Sequence, residues 1–181
     1  SKYFRDLVRD YPRSNLVDKA VFGLAMCLEQ DGSLDEALKE LKKISTTDME
    51  FKMEVAQAQA NIFLKKEDID GALNSYRSLI SVSDKKTKEA TYLKIADIYR
   101  SRLNFDAAIE SYKNAIANSN EPASIHLLIA ETLQEQGKFN PAIDEYLKIA
   151  KDYPNDQANV VKAYLRAAEI LEEKEDWVRA Q

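Results

Sequence analysis

Alanine recurs along this chain in pairs twelve residues apart: Ala25 with Ala37, Ala60 with Ala72, Ala96 with Ala108, Ala130 with Ala142 and Ala168 with Ala180. Successive pairs are offset by 35, 36, 34 and 38 residues. A period of about 34 residues is that of a unit made of two helices and a turn. The physical reason is close approach. Two antiparallel helices come together only where both present a small side chain, and larger residues interlock around that crossing. The larger residues are in phase. Leu28, Phe63, Tyr99, Leu133 and Leu171 stand three places after the first alanine, and Leu41, Tyr76, Tyr112 and Tyr146 stand four after the second. A single such unit cannot bury its apolar face alone, so a stack of units is required for stability.

The rest of the composition agrees. Four Gly and four Pro among 181 residues leave little material for the many tight turns of an all-β fold. Ala, Leu, Lys, Glu and Ile dominate, and these are good or tolerable helix formers. Before the second alanine of the first four pairs comes a start phrase: "LDEA", "IDGA", "FDAA" and "FNPA". Asp35, Asp70, Asp106 and Asn140 fall where a side-chain oxygen suits the free amides and dipole of a helix start. In the last phrase the expectation is Asn140 as cap and Pro141 at the first helical position.

At these residues the sequence resembles the tetratricopeptide repeat (TPR) family. "YLKIADIY" with "DAAIESYKNAI", and "HLLIAETL" with "PAIDEYLKIAKDYP", fit the family pattern closely, including the terminal Pro154. "VFGLAMCL" with "EALKELKKI" is a fair match, and "AQAQANIF" with "GALNSYRSLI" is looser, with Gln59 in an apolar slot. The resemblance implies an all-α fold: a right-handed superhelical solenoid of antiparallel helix pairs. The expected organisation is one array over 1–181, with pairs at roughly 15–46, 49–82, 85–119, 122–153 and 157–181. Residues 2–11 read as the tail of a preceding helix, with Phe4, Leu7 and Pro12 in its late positions. "EDWVRAQ" reads as the opening of a next helix B, cut off after Ala180. With no polar capping helix at either end, the chain reads as an excerpt of a longer protein. "RDYPRSNLVDKAVFGLA" and "KDYPNDQANVVKAYLRAA" echo one another, and this Tyr-Pro variety is similar to that of bacterial envelope lipoproteins, such as those of the Bam and Tol–Pal systems. Compartment stays open between periplasm or outer membrane and cytoplasm.

The chemistry-bearing residues are few. The net charge is −5 with no basic block, which disfavours nucleic acid. The single Cys27 excludes an internal disulfide and a multi-cysteine zinc site, and no apolar run reaches the length of a membrane span. The single His126 could be a general base or a ring packed on its neighbour. The second reading is favoured, because no Cys or Ser nucleophile lies in a matching slot. Cys27, inside "LAMCL", reads as a buried inert thiol. No glycine-rich phosphate loop, zinc spacing or calcium loop is present. The expectation is therefore a chain that is not an enzyme and needs no cofactor or metal.

The family resemblance implies where a ligand would go: one residue after the first alanine, with flanks three before and four after it. Those slots hold Phe22, Met26 and Glu29; Gln57, Asn61 and Leu64; Leu93, Asp97 and Arg100; Leu127, Glu131 and Gln134; and Leu165, Glu169 and Glu172. The expected partner-binding residues on the concave face are Phe22, Met26, Asn61, Leu93, Asp97, Arg100, Leu127, Glu131, Leu165 and Glu169. They suggest an apolar row (Phe22, Leu93, Leu127, Leu165) beside an acidic row (Asp97, Glu131, Glu169). A carboxylate clamp of the co-chaperone kind does not fit, since only Asn61 matches it and the acids would repel a carboxylate. The reading is a non-catalytic protein–protein interaction scaffold for a basic or apolar protein segment. Two alternatives stay open. One is a docking region of a larger enzyme or envelope-assembly lipoprotein; the other is self-association through the uncapped ends.

Overall fold

The computed structural model describes residues 2–10, 16–81 and 83–173. All regular structure among the described residues is helical, as the alanine period implied: α1 (Lys2–Asp10), α2 (Val17–Gln30), α3 (Leu34–Leu41), α4 (Met49–Lys65), α5 (Ile69–Ile80), α6 (Lys85–Ser101), α7 (Phe105–Ile116), α8 (Pro122–Glu135), α9 (Phe139–Asp152) and α10 (Gln157–Glu173). The expectations for Pro12, Ala180 and the "EDWVRAQ" segment lie outside the described residues, except that α10 covers the run leading to it. The chain divides into two compact units, Ser1–Ser83 with α1–α5 and Asp84–Gln181 with α6–α10.

In each unit the paired alanines sit at the helix crossings. Ala25, Ala37, Ala60, Ala72, Ala96, Ala108, Ala130 and Ala142 are all 0 or 1% exposed. Ala168 is only half-buried, and the fully covered alanines of α10 are Ala163 and Ala167. The large residues fill in around the crossings. In the first unit Leu24, Leu28, Leu38, Leu41, Phe51 and Ile62 form the core, and Phe63 and Phe22 pack against it. In the second, Tyr112 with Ile125 and Ile129 forms one cluster, and Tyr146 with Ile143, Ile149 and Ile170 forms another. Full burial of each such side chain contributes roughly 1.5–3 kcal/mol.

Each helix pair turns the same way. The residue seven places after the first alanine is left-handed in all four turns: Gly32 (φ 79°), Glu67 (φ 59°), Leu103 (φ 60°) and Gly137 (φ 77°). The amide that follows it donates back to the carbonyl five residues earlier: Ser33 to Leu28, Asp68 to Phe63, Asn104 to Tyr99 and Lys138 to Leu133, at 2.8–2.9 Å. This is the Schellman closure of a helix C-terminus, which satisfies carbonyls the helix itself leaves open.

The helix starts differ from the sequence expectation by two residues. The caps of the second helices are Ser33, Asp68, Asn104 and Lys138, and of these only the Asp68 and Asn104 side chains accept from a first-turn amide. Asp35, Asp70, Asp106 and Asn140 lie inside the first turn, and Pro141 is the third helical residue. Proline is tolerated there because the first four amides of a helix have no partner in any case. Instead of capping their own helices, two of these acids reach to the next turn of their unit. Asp35 pairs with Lys66, and Asp106 takes hydrogen bonds from Gln136 (3.0 Å) and Lys138 (3.4 Å). Asp48 and Asp84 do cap α4 and α6, accepting from Phe51 and Thr87 amides respectively.

Candidate functional site

In the second unit the slot after the first alanine carries Asp97 on α6, Glu131 on α8 and Glu169 on α10, of which Asp97 and Glu169 are exposed and Glu131 half-buried. Each acid has a protein partner. The buried Tyr112 sends its hydroxyl to Asp97 Oδ1 at 3.2 Å. Arg100 Nη2 lies 3.5 Å from Glu131 Oε2, and Arg166 Nη1 lies 2.9 Å from Glu169 Oε2. A fourth acid, Glu135, binds Arg100 in a fork: Nε to Oε2 at 2.9 Å and Nη2 to Oε1 at 2.6 Å. Tyr146 contributes a second buried hydroxyl, 3.4 Å from Gln134 Oε1.

The electrostatics follow from this arrangement. Burial, reinforced by the Asp97 charge, pushes the Tyr112 phenol up to about 12. Burial, with Glu131 and Glu169 adding to it, does the same to Tyr146, also to about 12. The hydrogen-bonded Glu135 raises the Arg100 guanidinium, whose fork in turn lowers the Glu135 carboxyl. The row thus holds four carboxylates against two guanidiniums, so negative potential remains at the surface. Glu135, Arg166 and the two tyrosine hydroxyls were not anticipated from sequence. The tyrosines read as core residues, and only their depth in the packed pair shows which way the hydroxyls point.

The apolar row is arranged differently from the expectation. Leu127 is 9% exposed and belongs to the core cluster it shares with Ala163 and Ile170 of α10. Leu93 is half-buried against the cluster of Ile125 and Ile129 on α8. Phe22 packs edge-on to Phe51 of α4, with ring centroids 5.5 Å apart. Three residues before the alanine, therefore, is where one first helix packs on the next. These three side chains are held within their own unit and are not free anchors. Leu165 alone is open, at 60%. In the first unit the slot after the alanine holds half-buried Met26 and exposed Asn61, and Glu29 forms an ion pair with Lys65 at 2.8 Å.

The single histidine is 5% exposed. His126 Nδ1 bonds Glu145, its Nε2 lies 3.3 Å from the Tyr153 hydroxyl, and its ring tilts against Tyr153 at 5.5 Å. Glu145 is held below the usual carboxylate range, chiefly by its hydrogen bond to the ring. Glu, His and Tyr here join α8 to α9 and the loop that follows. Cys27 is free and half-buried, more open than expected. Among the described residues no group of three His, Cys, Asp or Glu side chains is placed to hold a metal ion, and no helix is long and apolar enough to cross a membrane.

Comparison with known proteins returns a family match over part of the chain and a fold. Residues 104–167 match the tetratricopeptide repeat family model. No curated protein matches the chain. Among solved structures, the C-terminal part of a TPR repeat-containing protein from Cytophaga hutchinsonii is 15% identical, with 99% of this chain and 78% of that one covered and a TM-score of 0.61. The MamA protein is 16% identical over 92% of this chain and 87% of its own, with a TM-score of 0.56. YrrB, described as a TPR protein with an unusual peptide-binding site, is 12% identical over 96% and 84%, at 0.52. These findings support the tetratricopeptide repeat family for residues 104–167, which match its model, and the all-helical fold of the chain is one that solved TPR proteins share.

Proposed function

We propose that the chain is a non-catalytic protein–protein interaction scaffold whose second unit receives a basic segment of a partner on the face formed by α6, α8 and α10. The observation that carries this reading is the acidic row itself. Asp97, Glu131 and Glu169 occupy one slot on three successive first helices, with Glu135 beside them. Pre-formed helices offer such a row without an ordering cost on the receptor side, so more of the contact energy appears as affinity. Charge of one sign also steers an oppositely charged partner toward the face. The solved TPR neighbour YrrB has a peptide-binding site by its own description, which supports a peptide as the class of ligand.

The apolar contribution comes from Leu165, exposed beside Glu169, rather than from Leu127. Asp97 and Glu131 hold Tyr112 and Arg100, so reversing their charge would disturb the fold along with the face. The test therefore uses Glu169→Lys with Leu165→Ser, both exposed. Partner capture from a cell extract by the unaltered chain should be lost in this double variant while helicity by circular dichroism is retained. Equal capture by both proteins would overturn the reading.

A further inference from the structure

One register position sets the pair α4/α5 apart from the others. Four residues before the first alanine stand Val21, Ala56, Tyr92 and His126 on α2, α4, α6 and α8. Facing that slot, three residues after the second alanine, stand Glu40, Ser75, Ser111 and Glu145. In α8/α9 the two slots are filled and joined, His126 to Glu145. In α4/α5 they hold Ala56 and Ser75, small at both places, and a cavity of about 400 Å³ opens there, walled on its other side by Ile44, Ser45 and Thr46 of the segment between α3 and α4. Ala56, Val55 and Leu79 form its buried floor, and Gln59 and Ser78 stand at its polar edge. Lys52 is the one charged residue among those that line it, and it lies half-buried at the wall.

We propose that this cavity is a docking site for an aromatic side chain of a protein partner, with an acidic neighbour in the partner paired to Lys52. Three features fit that occupant. The chain itself fills the same slot with a phenol in α6 and an imidazole in α8, so a flat ring with a polar edge matches the space between such helices. A volume near 400 Å³ is in the range of sites that enclose a small ligand, and aromatic rings are the anchors that such recesses favour. The charge at the wall is positive, and a carboxylate beside the ring complements it. The cavity belongs to the first unit and the acidic row to the second, so the two can be tested with different variants.

The experiment is an amide NMR titration of the full chain with acetyl-Asp-Tyr-amide, following Val55, Ser75, Ser78 and Leu79. Acetyl-Asp-Leu-amide and acetyl-Lys-Tyr-amide serve as controls. Saturable shifts with Asp-Tyr are expected, with at least about fivefold weaker binding for each control. Lys52→Gln, at the wall, should weaken Asp-Tyr binding by about threefold. Ala56→Tyr, which supplies the missing ring from within, should abolish the shifts while helicity is kept. Absence of shifts, equal shifts with all three peptides, or shifts unaltered by Lys52→Gln would overturn the proposal. So would shifts that survive in folded Ala56→Tyr.

Discussion

Arg100 on α6 grips Glu135 on α8 through two hydrogen bonds of 2.9 and 2.6 Å, and Glu29 on α2 meets Lys65 on α4 at 2.8 Å in the same register with the charges exchanged. In both units the slot four after one alanine is tied to the slot five after the next. The pairing belongs to the stacking of repeats, so Arg100 is a structural residue before it is a ligand contact. Glu135 is 47% exposed, and solvent screens the pair. A double-mutant cycle with Arg100→Ala and Glu135→Ala, read by urea denaturation, should give a coupling under about 1 kcal/mol that shrinks further in molar salt.

Two turns carry a side chain where glycine would be unstrained. Glu67 and Leu103 have φ near +60°, matching Gly32 and Gly137 in the other turns, and Leu103 is 74% exposed with little packing to lose. Leu103→Gly and Glu67→Gly should each raise stability by about 0.5–1 kcal/mol, measured as a rise in the urea midpoint at unchanged m-value.

Much of the architecture was legible because it rests on a spacing. The alanine pairs, the aromatic residues around them and the helix pairs all follow from one crossing geometry, and sequence displays spacing directly. The helix starts were misplaced by two residues because Asp35, Asp70, Asp106 and Asn140 were read as local caps, whereas Asp35 and Asp106 pair with the next turn, a contact thirty or so residues away. The packing of the apolar row was hidden for a related reason. Phe22, Leu93 and Leu127 carry the same pattern whether they face a ligand or the next helix, and only packing tells which. The acidic row was visible in outline, but its counter-charges Arg100 and Arg166 and the phenols of Tyr112 and Tyr146 come from four different helices. The cavity at Ala56 was invisible in composition, since a missing side chain marks no motif.

The fully covered phenols of Tyr112 and Tyr146 should titrate late in an alkaline titration. Tyr112 and Tyr146 are pushed up to about 12, and the chain has nine tyrosines in all. Their folded values exceed the usual value near 10, so the stability they contribute is complete below pH 10 and is lost as pH rises toward 12. Tyrosinate absorbance should show a late step that Tyr112→Phe and Tyr146→Phe each diminish. Absence of a late step, or a late step that neither variant diminishes, would contradict the burial.

Glu145 works in the opposite direction. Its carboxyl is held below the ordinary value by His126, so the stability it contributes is present above about pH 4.5 and is lost as pH falls through the lowered folded value. Glu145→Gln removes that titration. Between neutral pH and about pH 3 the variant's urea midpoint should fall by less than that of the unaltered chain.

The acidic face of the second unit is most directly tested by selection from a random peptide display library, run in parallel on the unaltered chain and on the Glu169→Lys, Leu165→Ser variant. The account predicts that the unaltered chain enriches sequences in which Lys or Arg residues accompany an apolar side chain, and that the variant loses this family of sequences. Enrichment of acidic peptides, or the same basic sequences from both proteins, would contradict it.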